Sequence, residues 1–220
     1  CLLDKTKQQF QNEVKLECLF RFAQMSLFAL FGRVLGVWER EMIRFGILGA
    51  GRIGKVHTAT IGASKVAKVA YVADAVAKAA SDLAATVGAK TASVEEIIAS
   101  KDVDAILIAT PTGTHADLIE AASNAGKAIL CEKPVSLSVE RILSCLKVVE
   151  KNKSNLMIGF NRRFDPNFAA LEKRIRNGDI GTVELATIIS RDPAPPPVDY
   201  IKGSGGLYRD MMIHDFDMAR

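Results

Sequence analysis

The 220-residue sequence is poor in the residues that metal and disulfide proteins depend on. Its four cysteines, Cys1, Cys18, Cys131 and Cys145, form no C-x-x-C pair, and two of them fall in the first 41 residues. This argues against a disulfide framework and fits single buried thiols in a reducing, cytoplasmic compartment. The three histidines, His57, His115 and His214, show no metal-ligand spacing, so no metal centre is expected. Blocks of like charge are missing too. Residues 1–41 carry six Lys/Arg against five Asp/Glu, which is +1 of a net charge of +4. With aromatics at 6%, a nucleic-acid surface is excluded. The apolar stretch "AQMSLFALFGRVLGVW" (23–38) is interrupted by Arg33 and is shorter than the roughly 20 residues that cross a bilayer. The chain starts at Cys1 rather than at Met with a basic stretch, and "GVWEREM" offers no small-residue cleavage site, so a signal peptide is not expected either.

What is present is an ordinary globular composition, 49% hydrophobic and 25% charged. A chain of this size can bury roughly 70% of its unfolded surface without staples. Residues 1–41 differ from the rest and read as an extension, helical or misjoined to the gene. A membrane-associated or partner-binding helix is the alternative. From Met42 onward a rhythm sets in. "IRFGILG" (43–49), "KVAYVAD" (68–74), "DAILIAT" (104–110), "KAILCEK" (127–133) and "NLMIGFN" (155–161) are short runs apolar on both faces, the pattern of buried parallel strands. Between them lie Ala-rich stretches of helical period, 75–88, 114–126 and 138–152. The first two end in Gly88 and Gly126, which suit helix C-termini. Alternating strand and helix predict an α/β fold with a doubly wound parallel sheet over 42–161. After Asn161 the pattern changes. Residues 166–181 predict a helix closed by a turn, 182–192 a longer half-alternating strand, and the prolines of 193–198 a loop. A second domain is therefore expected over 162–220.

"GAGRIG" (49–54) matches G-x-G-x-x-G directly after a strand, at the start of a βαβ unit. Gly49, Gly51 and Gly54, with Arg52 and Ile53 between them, would let backbone N–H groups approach a pyrophosphate at a helix N-terminus. Asp74 closes the second strand, where a carboxylate accepts from ribose hydroxyls and repels a 2′-phosphate. NAD rather than NADP is the expected cofactor. Thr110, Pro111 and Thr112 lie at another carboxyl strand end, Thr114 is a candidate helix cap, and His115 falls in the first turn after it. "CEKP" (131–134) closes a further strand. Its Glu132 and Lys133 would face the same crevice, and the Lys133 ammonium could bond a substrate hydroxyl and favour a developing alkoxide. The Lys133–Pro134 bond is a candidate cis peptide, because X-Pro bonds tolerate it. Near the end, Asp210 and His214 are spaced i, i+4 and would share a helix face. Neutral imidazole is suited to take a proton at physiological pH.

Together, "GILGAGRIGKVH", "ATPTGTHADLI", "CEKP", "GFNRRFD" and "GGLYRDMMIHDFDMAR" resemble the Gfo/Idh/MocA oxidoreductase family, and within it the inositol 2-dehydrogenases. The resemblance runs from Met42 to Arg220. It implies a Rossmann domain followed by an α/β domain with a large open sheet, here cut within that second domain. It also implies homo-oligomers, dimers or tetramers, in the longer form. It places the family's E-K-P lysine on Lys133 and its D-x-x-x-H pair on Asp210 and His214. The implied reaction is NAD-dependent oxidation of a cyclic polyol, myo-inositol to 2-keto-myo-inositol. In it His214 removes the hydroxyl proton, Asp210 orients the imidazolium and Lys133 holds the oxygen. Asn161 and Arg163 are expected to contact the outer hydroxyls, with pairing of Arg162 or Arg163 to Asp165 as the alternative. Asp217, Asp192 and Tyr200 are further polar candidates. Another polyol or sugar substrate, or a fragment that binds NAD without turnover, are the competing readings.

Overall fold

The structure, a computed structural model, describes residues 42–220 apart from Pro193 and Pro197. Residues 1–41, with the expected extension and the thiols of Cys1 and Cys18, lie outside the described residues. So do those two prolines of the expected loop.

Six parallel strands form one sheet: β1 (Ile43–Leu48), β2 (Ala67–Ala73), β3 (Lys90–Thr91), β4 (Ala105–Ile108), β5 (Ala128–Cys131) and β6 (Leu156–Ile158). Their order is β3-β2-β1-β4-β5-β6. Connecting helices are α1 (Arg52–Gly62), α2 (Ala77–Ala85), α3 (Val94–Ala99), α4 (His115–Asn124) and α5 (Val139–Lys151). Strand order therefore reverses between β1 and β4, and a crevice opens at their carboxyl ends, where doubly wound sheets bind ligands.

The central strands are apolar on both faces because helices cover both. Ile47, Leu48, Ile106 and Ile108 are fully buried. Each such side chain contributes roughly 1.5–3 kcal/mol over its exposed state. Packing between α3 and β1 is close enough that a Cβ at Gly46 would lie 2.3 Å from the Ile97 side chain. Gly88 and Gly126 take positive φ (67° and 70°) just past α2 and α4, as helix-ending glycines do. Helix α3 and the two-residue β3 were not expected. The signal for α3 was present in Ser93-x-x-Glu96, which forms a reciprocal capping box. Cys131 and Cys145 are free and buried, in line with the expected single thiols.

Beyond β6, a 3₁₀ turn (Asn161–Phe164) leads to α6 (Pro166–Arg176). Asp165 caps α6 by accepting from the N–H groups of Asn167 and Phe168, and Pro166 fills the first helical position. Asp165 is therefore not the partner of Arg162 or Arg163. Residues 182–192 form no strand, contrary to expectation. A strand needs a neighbour to receive its ladder, and no other strand lies alongside it among the described residues. Its apolar side chains stay in solvent, Leu185 at 86% exposure. Three short helices close the chain: α7 (Val198–Ser204), α8 (Gly206–Asp210) and α9 (Met212–Ala219). No helix among the described residues is long and apolar enough to cross a membrane.

Candidate functional site

The glycine loop joins β1 to α1 at the crevice. Gly49 has φ of +105°, and a Cβ there would sit 2.4 Å from the Ala109 carbonyl oxygen. A Cβ at Gly54 would fall 1.9 Å from the Gly49 carbonyl oxygen. Both glycines are thus required by the protein's own backbone. Gly51 differs: a Cβ there would meet nothing within 4 Å. It is the N-cap of α1 and no side chain caps the helix. The open side of Gly51 therefore adjoins an uncapped first turn, flanked by the exposed Arg52 and Ile53. That cradle fits a dinucleotide pyrophosphate.

Asp74 stands at the end of β2. Its carboxylate accepts from Ala50 N–H at 2.7 Å and from Val76 N–H at 2.8 Å. One bond uses each oxygen, which leaves each a lone pair for a ribose hydroxyl. Thr110, Pro111 and Thr112 follow β4 at the crevice. The Thr114 hydroxyl donates to the Pro111 carbonyl at 2.9 Å and lies 2.7 Å from the Thr110 hydroxyl. It occupies the cap position of α4 without capping it.

His115 was expected to touch cofactor, and the structure places it elsewhere. It is 2% exposed. Its Nδ1 lies 2.8 Å from the Pro134 carbonyl oxygen and its Nε2 2.8 Å from the Thr110 carbonyl oxygen. Both nitrogens are spent inside the fold, where they tie the segments after β4 and β5 together. Glu132, also expected on cofactor, places its Oε1 2.6 Å from His57 Nε2, a half-buried pairing. The neighbouring Cys131 is not a nucleophile, since burial pushes its thiol strongly up.

Lys133 follows Glu132 on a cis peptide to Pro134, as expected. Its ammonium donates to Asp210 Oδ1 at 2.9 Å and to the Asp210 carbonyl oxygen at 2.5 Å. Asp210 Oδ1 also accepts from the Tyr200 hydroxyl at 2.8 Å. Asp210 and His214 do not share one helix face. The helix is interrupted at Met211, so Asp210 ends α8 and His214 lies in α9. Asp210 accordingly pairs with Lys133, while His214 Nδ1 is buried without a hydrogen-bond partner among the described residues. Burial, reinforced by the Lys133 and Arg162 cations, lowers the His214 pKa, and Glu132 and Asp215 act in the opposite sense. The ring stands edge-on to Phe160, with centroids 6.3 Å apart.

Arg163, expected on substrate, is committed elsewhere. Its guanidinium grips Asp217 with two bonds of 2.7 and 2.6 Å, and the Asp217 side chain is only 5% exposed. Such a fork holds α9 to the 3₁₀ turn and raises the Arg163 pKa further. Arg162 pairs with Asp215 and donates to the Ser190 hydroxyl at 2.7 Å. Asn161 remains exposed at the start of the same turn. The structure thus brings Lys133, Asp210, Tyr200 and His214 together and engages the side chains of His115, Glu132 and Arg163 in contacts within the fold. Tyr200 was only a minor candidate in the sequence, because nothing in its spacing ties it to Asp210.

Comparison with known proteins agrees with this geometry. Residues 43–160 match the description "Oxidoreductase family, NAD-binding Rossmann fold", and residues 168–220 match the "GFO/IDH/MocA C-terminal domain". The chain is 57% identical over 178 residues to an inositol 2-dehydrogenase of Rhizobium meliloti (strain 1021), covering 81% of this chain and 54% of that protein. A myo-inositol dehydrogenase structure from Corynebacterium glutamicum superposes with a TM-score of 0.78 at 48% identity, over 82% of this chain and 54% of that one. A scyllo-inositol dehydrogenase from Lactobacillus casei, crystallised with NAD(H) and scyllo-inositol, gives a TM-score of 0.76 at 32% identity, over 82% and 56%. This chain therefore spans about half the length of the relatives it matches. The glycine cradle, the strand order and these matches establish that the chain belongs to the GFO/IDH/MocA oxidoreductase family, with its NAD-binding Rossmann fold.

Proposed function

We propose that this chain carries the cofactor site and the reacting groups of an NAD-dependent dehydrogenase that oxidises a secondary alcohol of a cyclic polyol, myo-inositol to 2-keto-myo-inositol. The observation that carries the reading is the meeting of Lys133 and Asp210 beside His214, at the carboxyl end of β5. Gly49, Gly51, Arg52, Ile53 and Gly54 would hold the pyrophosphate, Asp74 the ribose, and Thr110, Pro111 and Thr112 the next part of the crevice wall. The Asp74 carboxylate supports NAD over NADP because it would repel a 2′-phosphate. Bound there, the nicotinamide supplies a hydride acceptor.

The chain's own residues do the rest. His214, kept neutral by burial and by the Lys133 and Arg162 cations, takes the hydroxyl proton. Lys133 donates to the same oxygen and stabilises the negative charge that develops on it. Asp210 orients Lys133 rather than His214, given the bonds it makes. Asn161 is left as the candidate contact to an outer hydroxyl. We place the start of the substrate domain near residue 162, where the sheet ends. A reducing cytoplasm suits the two free buried thiols. A homo-oligomer in the longer protein suits the exposed apolar side chains of 182–192.

The scyllo-inositol relative favours one second reading, the same chemistry on another inositol isomer. Reduction of NAD followed at 340 nm with myo-inositol, scyllo-inositol and glucose tests both. Preference for myo-inositol is expected, and scyllo-inositol as the better substrate would move the assignment to that isomer. NAD binding with no turnover on any polyol by the longer protein would overturn it.

A further inference from the structure

We propose that Tyr200 is a positioning residue of this site, holding the Asp210 carboxylate in the orientation that serves Lys133. The proposal deepens the dehydrogenase reading and takes its purpose from it. Tyr200 lies in α7, ten residues before Asp210. Its hydroxyl donates to Asp210 Oδ1 at 2.8 Å, and Lys133 Nζ donates to the same oxygen at 2.9 Å. A carboxylate oxygen offers two lone pairs, so the two donors fill it. The carboxylate cannot turn about its Cβ–Cγ bond without giving up both contacts. Lys133 is held a second time by the Asp210 main-chain oxygen at 2.5 Å. The ammonium is thereby fixed by two oxygens of one residue, and that residue is fixed in turn by the phenol.

Tyr200 also feels the charge of Arg52 in the cofactor loop. The charged groups acting on its hydroxyl are Asp210 and, from the glycine loop, Arg52. Burial, together with the hydrogen bond and charge of Asp210, pushes the phenol up to about 12, with Arg52 pulling the other way. A phenol in that range keeps its proton through neutral pH. It can therefore donate to Asp210 continuously, and it is a poor proton acceptor for the reaction itself. This separates a positioning role from a catalytic one.

The test uses the 220-residue chain with 13Cζ-labelled tyrosine. There are three tyrosines, and Tyr200→Phe assigns the signal. Tyr200 is expected to remain un-ionised at about pH 10.5, half a unit above an ordinary tyrosine. Its midpoint is expected to fall by about one unit in Asp210→Asn, because the charge that disfavours phenolate is gone. In Tyr200→Phe, which keeps the ring packing, the 15N-detected ammonium signal of Lys133 is expected to broaden through faster exchange with water, with the backbone amide spectrum unchanged. An unaltered Lys133 signal in Tyr200→Phe would overturn the proposal. So would a Tyr200 midpoint indifferent to Asp210→Asn. Neither measurement needs NAD or polyol, so failure here leaves the dehydrogenase reading standing, and absence of turnover leaves the positioning role standing.

Discussion

Lys133 and Asp210 are 77 residues apart in the chain, yet the lysine ammonium lies 2.9 Å from the Asp210 carboxylate, with both side chains largely buried. That contact joins the end of β5 to the end of α8, so the Rossmann sheet and the last helices share one polar centre. It also pairs the charges of the site: the Lys133 ammonium, proposed to meet the reacting oxygen, has its counter-ion in Asp210. Lys133→Met keeps most of the unbranched side chain and removes the charge. It is expected to lower polyol turnover by about 100-fold or more, the scale of a lost proton-transfer or charge-stabilising group. NAD affinity should change little, because the glycine cradle is untouched. Isothermal titration with NAD beside initial rates at 340 nm separates the two, and unchanged turnover would remove Lys133 from the mechanism.

His214 is expected to titrate below an ordinary histidine, the direction set by its burial and by Lys133 and Arg162. The unfolded chain then takes up a proton that the folded chain refuses. Its contribution to stability is present above the unfolded value of about 6.5 and is lost as pH falls from there through the folded pKa. Following the Hε1 signals of the three histidines against pH checks the direction, with His214→Gln assigning the signal. Lys133→Met should raise the His214 midpoint, because a neighbouring cation is removed. A His214 midpoint above 6.5 would contradict the arrangement.

His115 makes a different kind of prediction, one of stability. His115→Ala removes the ring whose N–H reaches the Thr110 or Pro134 carbonyl oxygen, and opens a cavity at a site that is 2% exposed. A loss of roughly 2–4 kcal/mol is expected from the lost hydrogen bond and the void together. Urea unfolding of the variant measures it. Weakened NAD binding should accompany the loss, since Thr110 and Pro134 border the crevice. A variant of normal stability would show that His115 is not the tie between the two segments.

Much of this was legible in the sequence because it is local. The βαβ rhythm follows from apolar runs and helical period, and each element is decided within about a dozen residues. The glycine loop could be read because each glycine answers to a backbone a few residues away or to a ligand. What could not be read is which polar group meets which. Arg163 fits a polyol contact in sequence terms, but Asp217, more than fifty residues on, claims its guanidinium. Asp210 and His214 at i, i+4 suggest a helical pair, but the helix is interrupted at Met211 and Lys133 takes the aspartate. Residues 182–192 carry the composition of a strand, but a strand exists only beside a partner, and composition does not supply one.

The two ends of the glycine loop allow the cofactor reading to be separated from the fold. Gly54→Ala would place a Cβ 1.9 Å from the Gly49 carbonyl oxygen, which is main chain and cannot swing aside. The loop or the first turn of α1 must move, so this variant is expected to lose stability as well as NAD binding. Gly51→Ala adds its Cβ where nothing lies within 4 Å, at a φ of −70° that any residue adopts. It should fold with stability within about 1 kcal/mol of the parent, since alanine also restricts the unfolded chain. If a pyrophosphate packs on that backbone, the same methyl group occupies its place, and NAD affinity should fall by about tenfold or more. Thermal unfolding and NAD titration of the two variants therefore give opposite patterns. Gly54→Ala is impaired in both, and Gly51→Ala only in binding. Undiminished NAD affinity in Gly51→Ala would mean that the open cradle at the start of α1 is not where the cofactor lies.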